Sequence, residues 1–290
     1  MVFCFISSFA IQTEASKKKD IADETQILYK VVSPNAWAVG DTFIYLTPKL
    51  NVVLRPAIPS FNDTTNYFNR VFTFEGIKTV TDWHNNSLIN LEFSSNGKRF
   101  SYSTNKTLEQ FADSTYNPLI GGLYRLKELK EAKDILTGQK LYLLTDQYRS
   151  LDGKLSSSNK KFVEVEILEL KTDSIESPVE VIFADEKGDK YSISTRFSST
   201  LQAESDNNFS DIFSKVNPRE RYKNIEGDVW EVIQNGQLKE GMTKDDVVLS
   251  IGRPNNIDKT ATYTGWRELW QYDNGTVITF HDGRIIAFRK

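Results

Sequence analysis

The chain has few of the residues that most often build chemistry. It holds one cysteine, Cys4, and two histidines in 290 residues. A single cysteine excludes an intrachain disulfide framework and a zinc site of paired thiolates. The histidines, His84 in TDWHNN and His281 in TFHDGR, lack a second ligand at metal spacing. We read the first as a loop residue and the second as the approach to a tight hairpin turn. There is no G-x-S-x-G, phosphate-binding glycine loop or H-E-x-x-H. LIGGLY (119–124) has two glycines but not the preceding strand and following helix of a phosphate loop. Glu164 and Glu166 alternate with apolar residues, the pattern of a solvated strand face. No catalytic, cofactor-binding or metal-binding residue is assigned.

Charge of one sign is also lacking. Thirty-six Lys and Arg against 39 Asp and Glu leave a net charge of −3, without the basic excess of a nucleic-acid binder. Lys17-Lys18-Lys19, followed by Asp20, reads as solvated tail. Long apolar runs are absent too. The block MVFCFISSFAI (1–11) is too short to span a bilayer. It is similar to the apolar part of a secretory signal, with small-residue cleavage points at Ser8-Phe9-Ala10 or Thr13-Glu14-Ala15. No basic segment precedes it, so a start upstream of Met1 is expected. Phe3 occupies the place where a lipoprotein signal needs a small residue, which argues against lipidation at Cys4. The expectation is an exported protein of the periplasm or envelope. Residues 1–27 would be signal-like segment and linker, and the mature chain would have no membrane-spanning segment.

Aromatic residues, by contrast, are plentiful: 18 Phe, 12 Tyr and 5 Trp. DTFIYLT (41–47), RVFTFEGI (70–77), INLEFSS (89–95) and KRFSYST (98–104) mix them with β-branched residues, as strands do. Asn96-Gly97 signals a two-residue hairpin. The series then recurs in order. GDTFIYLT (40–47) matches GQKLYLLT (138–145), and NRVFTFEGI (69–77) matches NKKFVEVEI (159–167). LEFSSNGKRFSYST (91–104) matches VIFADEKGDKYSIST (181–195) with one residue inserted at the turn. We read a tandem duplication of a β module, each copy a small curled sheet or SH3-like barrel. AWAVGDTFIYL (36–46) is faintly similar to bacterial SH3-like modules. The first copy occupies 28–122. A linking helix, the second copy and a linker occupy 123–225. LYRLKELKEAKDIL (123–136) places Leu126, Leu129, Ala132 and Leu136 at helical spacing. LQAESDNNFSD (201–211) reads as loop.

From 226 to 290 the pattern changes. DVWEVIQNGQ predicts a short helix with Trp230 and Ile233 on one side, ended by Gly236. In GMTKDDVVLSIGRP, Thr243 is placed to cap a second helix, with Asp246 three residues on. Asp245 and Asp246 sit where the helix dipole favours negative charge. Val247, Val248 and Ile251 make one buried stripe, Gly252 ends the helix and Pro254 prevents its resumption. RELWQY (267–272), TVITFH (276–281) and RIIAF (284–288), with Asn-Gly and Asp-Gly turns, predict a three-stranded meander. The expected unit is ααβββ, and the whole chain α+β, predominantly β.

These residues resemble the BamE (SmpA/OmlA) family: Gly241-Met242-Thr243 at the helix start, Gly252 and Pro254 at its stop, Trp270 and Tyr272 as W-x-Y, Phe280 and Gly283 as F-x-x-G. The resemblance covers only the last 65 or so residues. It implies a small envelope protein. The best-known member is a lipoprotein accessory of the machinery that inserts β-barrels into the outer membrane, and a β-lactamase-inhibitor protein shares the ααβββ fold. Those motif residues read as structural. Trp266, at the start of a strand, and Trp37, beside a turn, are the candidates for a partner surface. The reading is a non-catalytic binding or scaffold protein whose partner is an envelope protein or a cell-wall polymer. Its rivals are a secreted inhibitor of a hydrolase and a hydrolase with its site on the β modules.

Overall fold

The computed structural model describes residues 32–58, 64–113, 116, 118, 120–154, 159–197, 207–263 and 265–290. The apolar N-terminal block, its cleavage points and Cys4 lie outside the described residues. The chain is mainly β, in antiparallel sheets with short helices, an α+β protein rich in strand.

A single turn of 3₁₀-helix at Pro34–Ala36 leads into the first sheet. Its strands are β1 (Thr42–Tyr45), β2 (Leu54–Pro56), β3 (Val71–Thr81), β4 (Ser87–Ser95), β5 (Lys98–Lys106) and β6 (Leu123–Arg125). Helix α1 (Leu108–Phe111) precedes β6, with Thr107 and Gln110 closing a capping box. The spatial order is β2-β5-β4-β3-β1-β6. Period-two burial along β4 puts Ile89, Leu91 and Phe93 inside. Rings from several strands meet there: Phe72 lies 4.9 Å from Phe100 and 5.4 Å from Tyr45, both T-shaped or tilted. Burying each such ring contributes about 1.5–3 kcal/mol, so this sheet is held by aromatic packing. Asn96 and Gly97 both have positive φ, at 48° and 75°, as the tight turn between β4 and β5 requires.

Helix α2 (Leu126–Leu136) follows at once, burying Leu129, Ala132 and Leu136. The predicted helix over 123–136 is therefore three residues too long, because Leu123–Arg125 pair with β1 instead. Arg125 Nη2 holds the Asp41 carboxylate at 2.5 Å, both nearly buried.

The second sheet contains β7 (Lys140–Leu143), β8 (Arg149–Ser150), β9 (Val163–Thr172), β10 (Val179–Ala184), β11 (Lys190–Thr195) and β12 (Phe213–Ser214). Helix α3 (Phe209–Ile212) precedes β12 and overlaps the end of the segment read as loop. The order is β12-β7-β9-β10-β11-β8. Read from its other side, this is the first sheet's order with every strand number raised by six. The pairing register moves one detail. Phe43 faces Phe72 in the first sheet, and Leu141 faces Val165 in the second. Phe72 therefore corresponds to Val165, three residues from the Phe162 that the sequence match aligns with it. The alternation of buried positions decides this, since Val165 and Ile167 are buried as Phe72 and Phe74 are.

Helices α4 (Pro218–Arg221), α5 (Gly227–Gln234) and α6 (Lys244–Ile251) lead to a third sheet. It has four strands, not three: β13 (Asn256–Thr262), β14 (Gly265–Gln271), β15 (Val277–His281) and β16 (Arg284–Arg289), in that spatial order. The added strand is β13. Its sequence NIDKTAT lacks apolar alternation because its residues are exposed at every position but Thr262.

The fold divides into two compact units, Met1–Gln139 with Ile167–Ile182 and Ile193–Phe209, and Lys140–Glu166 with Phe183–Ser192 and Ser210–Lys290. In the second unit the C-terminal helices are joined to the segment before β9. Phe162, at φ 58°, stacks on Trp230 at 5.3 Å. Lys161 donates to the Ser250 carbonyl, and Gln234 Nε2 donates to Phe162 O at 3.1 Å. Residues 226–290 thus share a core with a segment outside the boundary read from sequence.

Candidate interaction surface

The C-terminal core explains most of the motif residues. Thr243 Oγ1 accepts from Asp246 N, while Asp246 Oδ2 accepts from Thr243 N at 2.8 Å, a reciprocal cap for α6. Gly252 ends that helix at φ 87°, and its carbonyl accepts from Tyr272 Oη at 3.1 Å. Pro254 follows, partly buried. Met242, Trp270 and Phe280 come together in one buried cluster with Ile233, Val247, Ile278 and Ile285. Trp270 and Phe280 are 4.7 Å apart. Gly241 N donates to Ile285 O, and Ile285 N donates to Met242 O, both at 2.9 Å. Gly283, at φ 80°, completes the β15–β16 turn.

The two tryptophans named from sequence fall in different settings and different units. Trp37 is half-buried, 4.7 Å from Phe43 and 5.5 Å edge-on to Phe74, and joins the first sheet's core. Trp266 is 54% exposed. It lies on the helix side of the third sheet, because it faces Ala261 as Trp270 faces Ile257. The helices cover Trp270 and leave Trp266 uncovered. Tyr263, at the β13–β14 turn, and Ile257, opposite Trp270 and four residues along β13 from Ala261, are exposed as well. The Lys259 ammonium lies 4.8 Å from the Trp266 ring, a cation–π contact.

Two lysines and one acid anchor this shelf. Glu268, 7% exposed, receives Lys244 at 2.6 Å and Lys259 at 3.4 Å. Trp270 Nε1 donates to its other oxygen at 3.2 Å. The Lys244 hydrogen bond holds the Glu268 carboxyl below its usual range; burial opposes this, and Trp270 and Lys259 reinforce it. The site is therefore ionised and carries one surplus positive charge. The hairpin end is fixed by Asp282, which accepts from Trp266 N and donates its own N–H to Trp266 O, each at 3.0 Å. Gly265, at φ 135°, has no room for a side chain: a Cβ would fall 2.4 Å from Asp282 Oδ1.

Sequence reasoning missed Ile257, Lys259 and Tyr263, since they belong to the unrecognised strand and its turn. Elsewhere, Trp83 is exposed against His84 at the β3–β4 turn, which Asp82 organises through the backbone N–H groups of His84 and Asn86. A groove of about 600 Å³ lies between Pro48–Pro56 and Thr64–Tyr67. Its Asn51 and Asn66 carboxamides are used in local turns. In the first unit, burial pushes the Glu128 carboxyl up to about 7, with Arg125 opposing and Glu131 adding to the shift. Among the described residues, no three His, Cys, Asp or Glu form a metal set, and no helix is long and apolar enough to cross a membrane.

No protein-family model matches the chain, and neither a search of curated proteins nor one of solved structures returns a match.

Proposed function

We propose that the chain is a non-catalytic binding or scaffold protein of the bacterial cell envelope, with its C-terminal unit as the binding module. The observation that carries this reading is the uncovered Trp266, with exposed Tyr263 at the adjoining turn, on the same sheet face as a fully formed core. Exposed aromatics on a rigid scaffold are the common anchors of protein contacts. The BamE-like order of residues from Gly241 to Gly283 and the signal-like N-terminus support the envelope as the location. The two six-stranded sheets act as a spacer or scaffold that arose by duplication. Supporting that history, equivalent backbone bonds recur: Leu46 N to Gly122 O and Leu144 N to Ile212 O, Gly40 N to Phe74 O and Gly138 N to Ile167 O.

The test is crosslinking and capture from fractionated cells that express the chain from its upstream start. Recovery with envelope proteins, lost in Trp266→Ala, supports the reading; an uncleaved chain in the cytosol overturns it. The same exposed aromatic hairpin favours a second reading, a secreted inhibitor that blocks a hydrolase. Inhibition of a purified cell-wall hydrolase would select that reading.

A further inference from the structure

The outer sheet edges of this chain are unequal. In the six-stranded sheets, the edge strands β2 and β6 have three residues each, and β8 and β12 have two. Edges this short offer little template for another strand. The third sheet's edge β16 is longer, but a bulge interrupts it opposite Thr279 and Phe280. The Gly241 N–H and Met242 carbonyl also bond to Ile285. The remaining edge, β13, is different. It runs for seven residues without proline, in unbroken register with β14, and among the described residues no strand pairs with the outer side of its first six, 256–261.

We propose that β13 is a strand-addition site for an extended, acidic-and-apolar segment of another protein. This rests on the reading of the C-terminal unit as a binding module. An incoming strand would hydrogen-bond along the outer edge of residues 256–261. Its alternate side chains would face Ile257, Lys259 and Ala261 on the helix side, next to Trp266. Apolar residues suit the first and last positions. At the middle one, Lys244 and Lys259 share the single carboxylate of Glu268, so an acidic residue matches the surplus charge. On the opposite face Asp258 calls for a basic or neutral residue. The two central charges, Asp258 and Lys259, guard the edge against unmatched strands while admitting a matched one.

The probe is the capped heptapeptide TITEKVT, whose Glu and Lys would face Lys259 and Asp258 in antiparallel addition. Binding to the full chain is read by Trp fluorescence and by hydrogen-exchange protection of β13 amides. Lys259→Glu is expected to weaken binding about tenfold, since an attractive facing pair becomes a repulsive one. The swapped peptide TITKKVT should restore it to within about threefold on the same grounds. N-methylation on one edge of the peptide should abolish binding, while methylation on the other edge leaves it. Equal effects of both methylated peptides, or no charge-swap rescue, overturn strand addition. Dimerisation of the chain that Lys259→Glu disrupts also overturns it, by making a second copy the occupant. Capture of an envelope partner through Trp266 with no charge-swap effect would leave the binding reading standing and refute this one. Charge-dependent peptide binding by a chain found in the cytosol would do the reverse.

Discussion

The first sheet and the C-terminal sheet use the same kinds of residue to opposite ends. In the first, Phe43, Tyr45, Phe72, Phe93 and Phe100 are all buried, and even Trp37 beside its turn joins their cluster. In the C-terminal sheet the aromatics divide: Trp270 and Phe280 are buried, Trp266 and Tyr263 are not. Hydrophobicity does not distinguish these groups. The difference is how far the strands run past the elements that cover them. Rings under the covering elements make a core, and those past them, Trp266 here and Trp83 at the far end of β3 and β4, are exposed.

The strongest way to break this comparison is to delete a ring on the buried side. Phe72→Ala should destabilise the first sheet by about 3–5 kcal/mol, the range for emptying a buried aromatic site. Native-state hydrogen exchange of β4 amides would measure it, and a loss below about 1 kcal/mol would show that the ring cluster is not the support described here. Thr243→Ala should cost the C-terminal unit about 1 kcal/mol through loss of the helix cap, read as faster exchange in α6. A pH titration then sharpens the contrast. Glu268 ionises more readily in the folded chain than in the unfolded one. Its stabilising effect is present above the ordinary carboxylate range and fades as pH falls through the lowered value. Glu128 behaves oppositely. With its carboxyl pushed up to about 7, the folded chain keeps the proton that the unfolded chain releases, so stability of that region falls as pH rises from about 4.5 to about 7. Urea denaturation across this range should therefore show Glu268→Gln flattening the acid limb and Glu128→Gln flattening the neutral one. The smallest effect is expected at Trp266→Ala, within about 0.5 kcal/mol by thermal unfolding. A large loss there would place the ring in the core.

Much of this contrast is legible in the amino-acid order. The reciprocal Thr243–Asp246 cap, the Gly252 stop and the Asp282-Gly283 turn follow from local stereochemistry, which sequence states directly. The buried faces of β4 and β14 follow from alternation. The failures share a cause. β13 lacks alternation because neither of its faces is buried, so a strand defined only by its partner reads as a polar loop. Leu123–Arg125 carry helical spacing but pair with β1, because a tertiary partner outweighs weak local preference. The three-residue offset at β9 arose because matching Phe72 to Phe162 rewards identity. Ladder register instead obeys which side of the strand is buried. The exposed shelf was half visible: Trp266 stands out by type, whereas Lys259 and Ile257 matter only once their strand is known.

The shared strand order of the two six-stranded sheets also bears on how the chain folds. A nascent β1 and a nascent β7 present similar edges. Each has one proper partner, β3 or β9, about 30 residues or fewer ahead. Its other, β6 or β12, lies about 70–80 residues ahead, while β6 precedes β7 by only about 15. Loop-closure entropy favours the nearer pairing only modestly, so exchanged strands are an intrinsic hazard of tandem similar sheets. The divergence at matching positions, Phe43, Tyr45, Phe72 and Phe74 in the first sheet against Leu141, Leu143, Val165 and Ile167 in the second, makes a hybrid sheet pack poorly. Making the second core resemble the first should therefore slow refolding and increase exchanged, misfolded chains, even if each sheet alone became more stable.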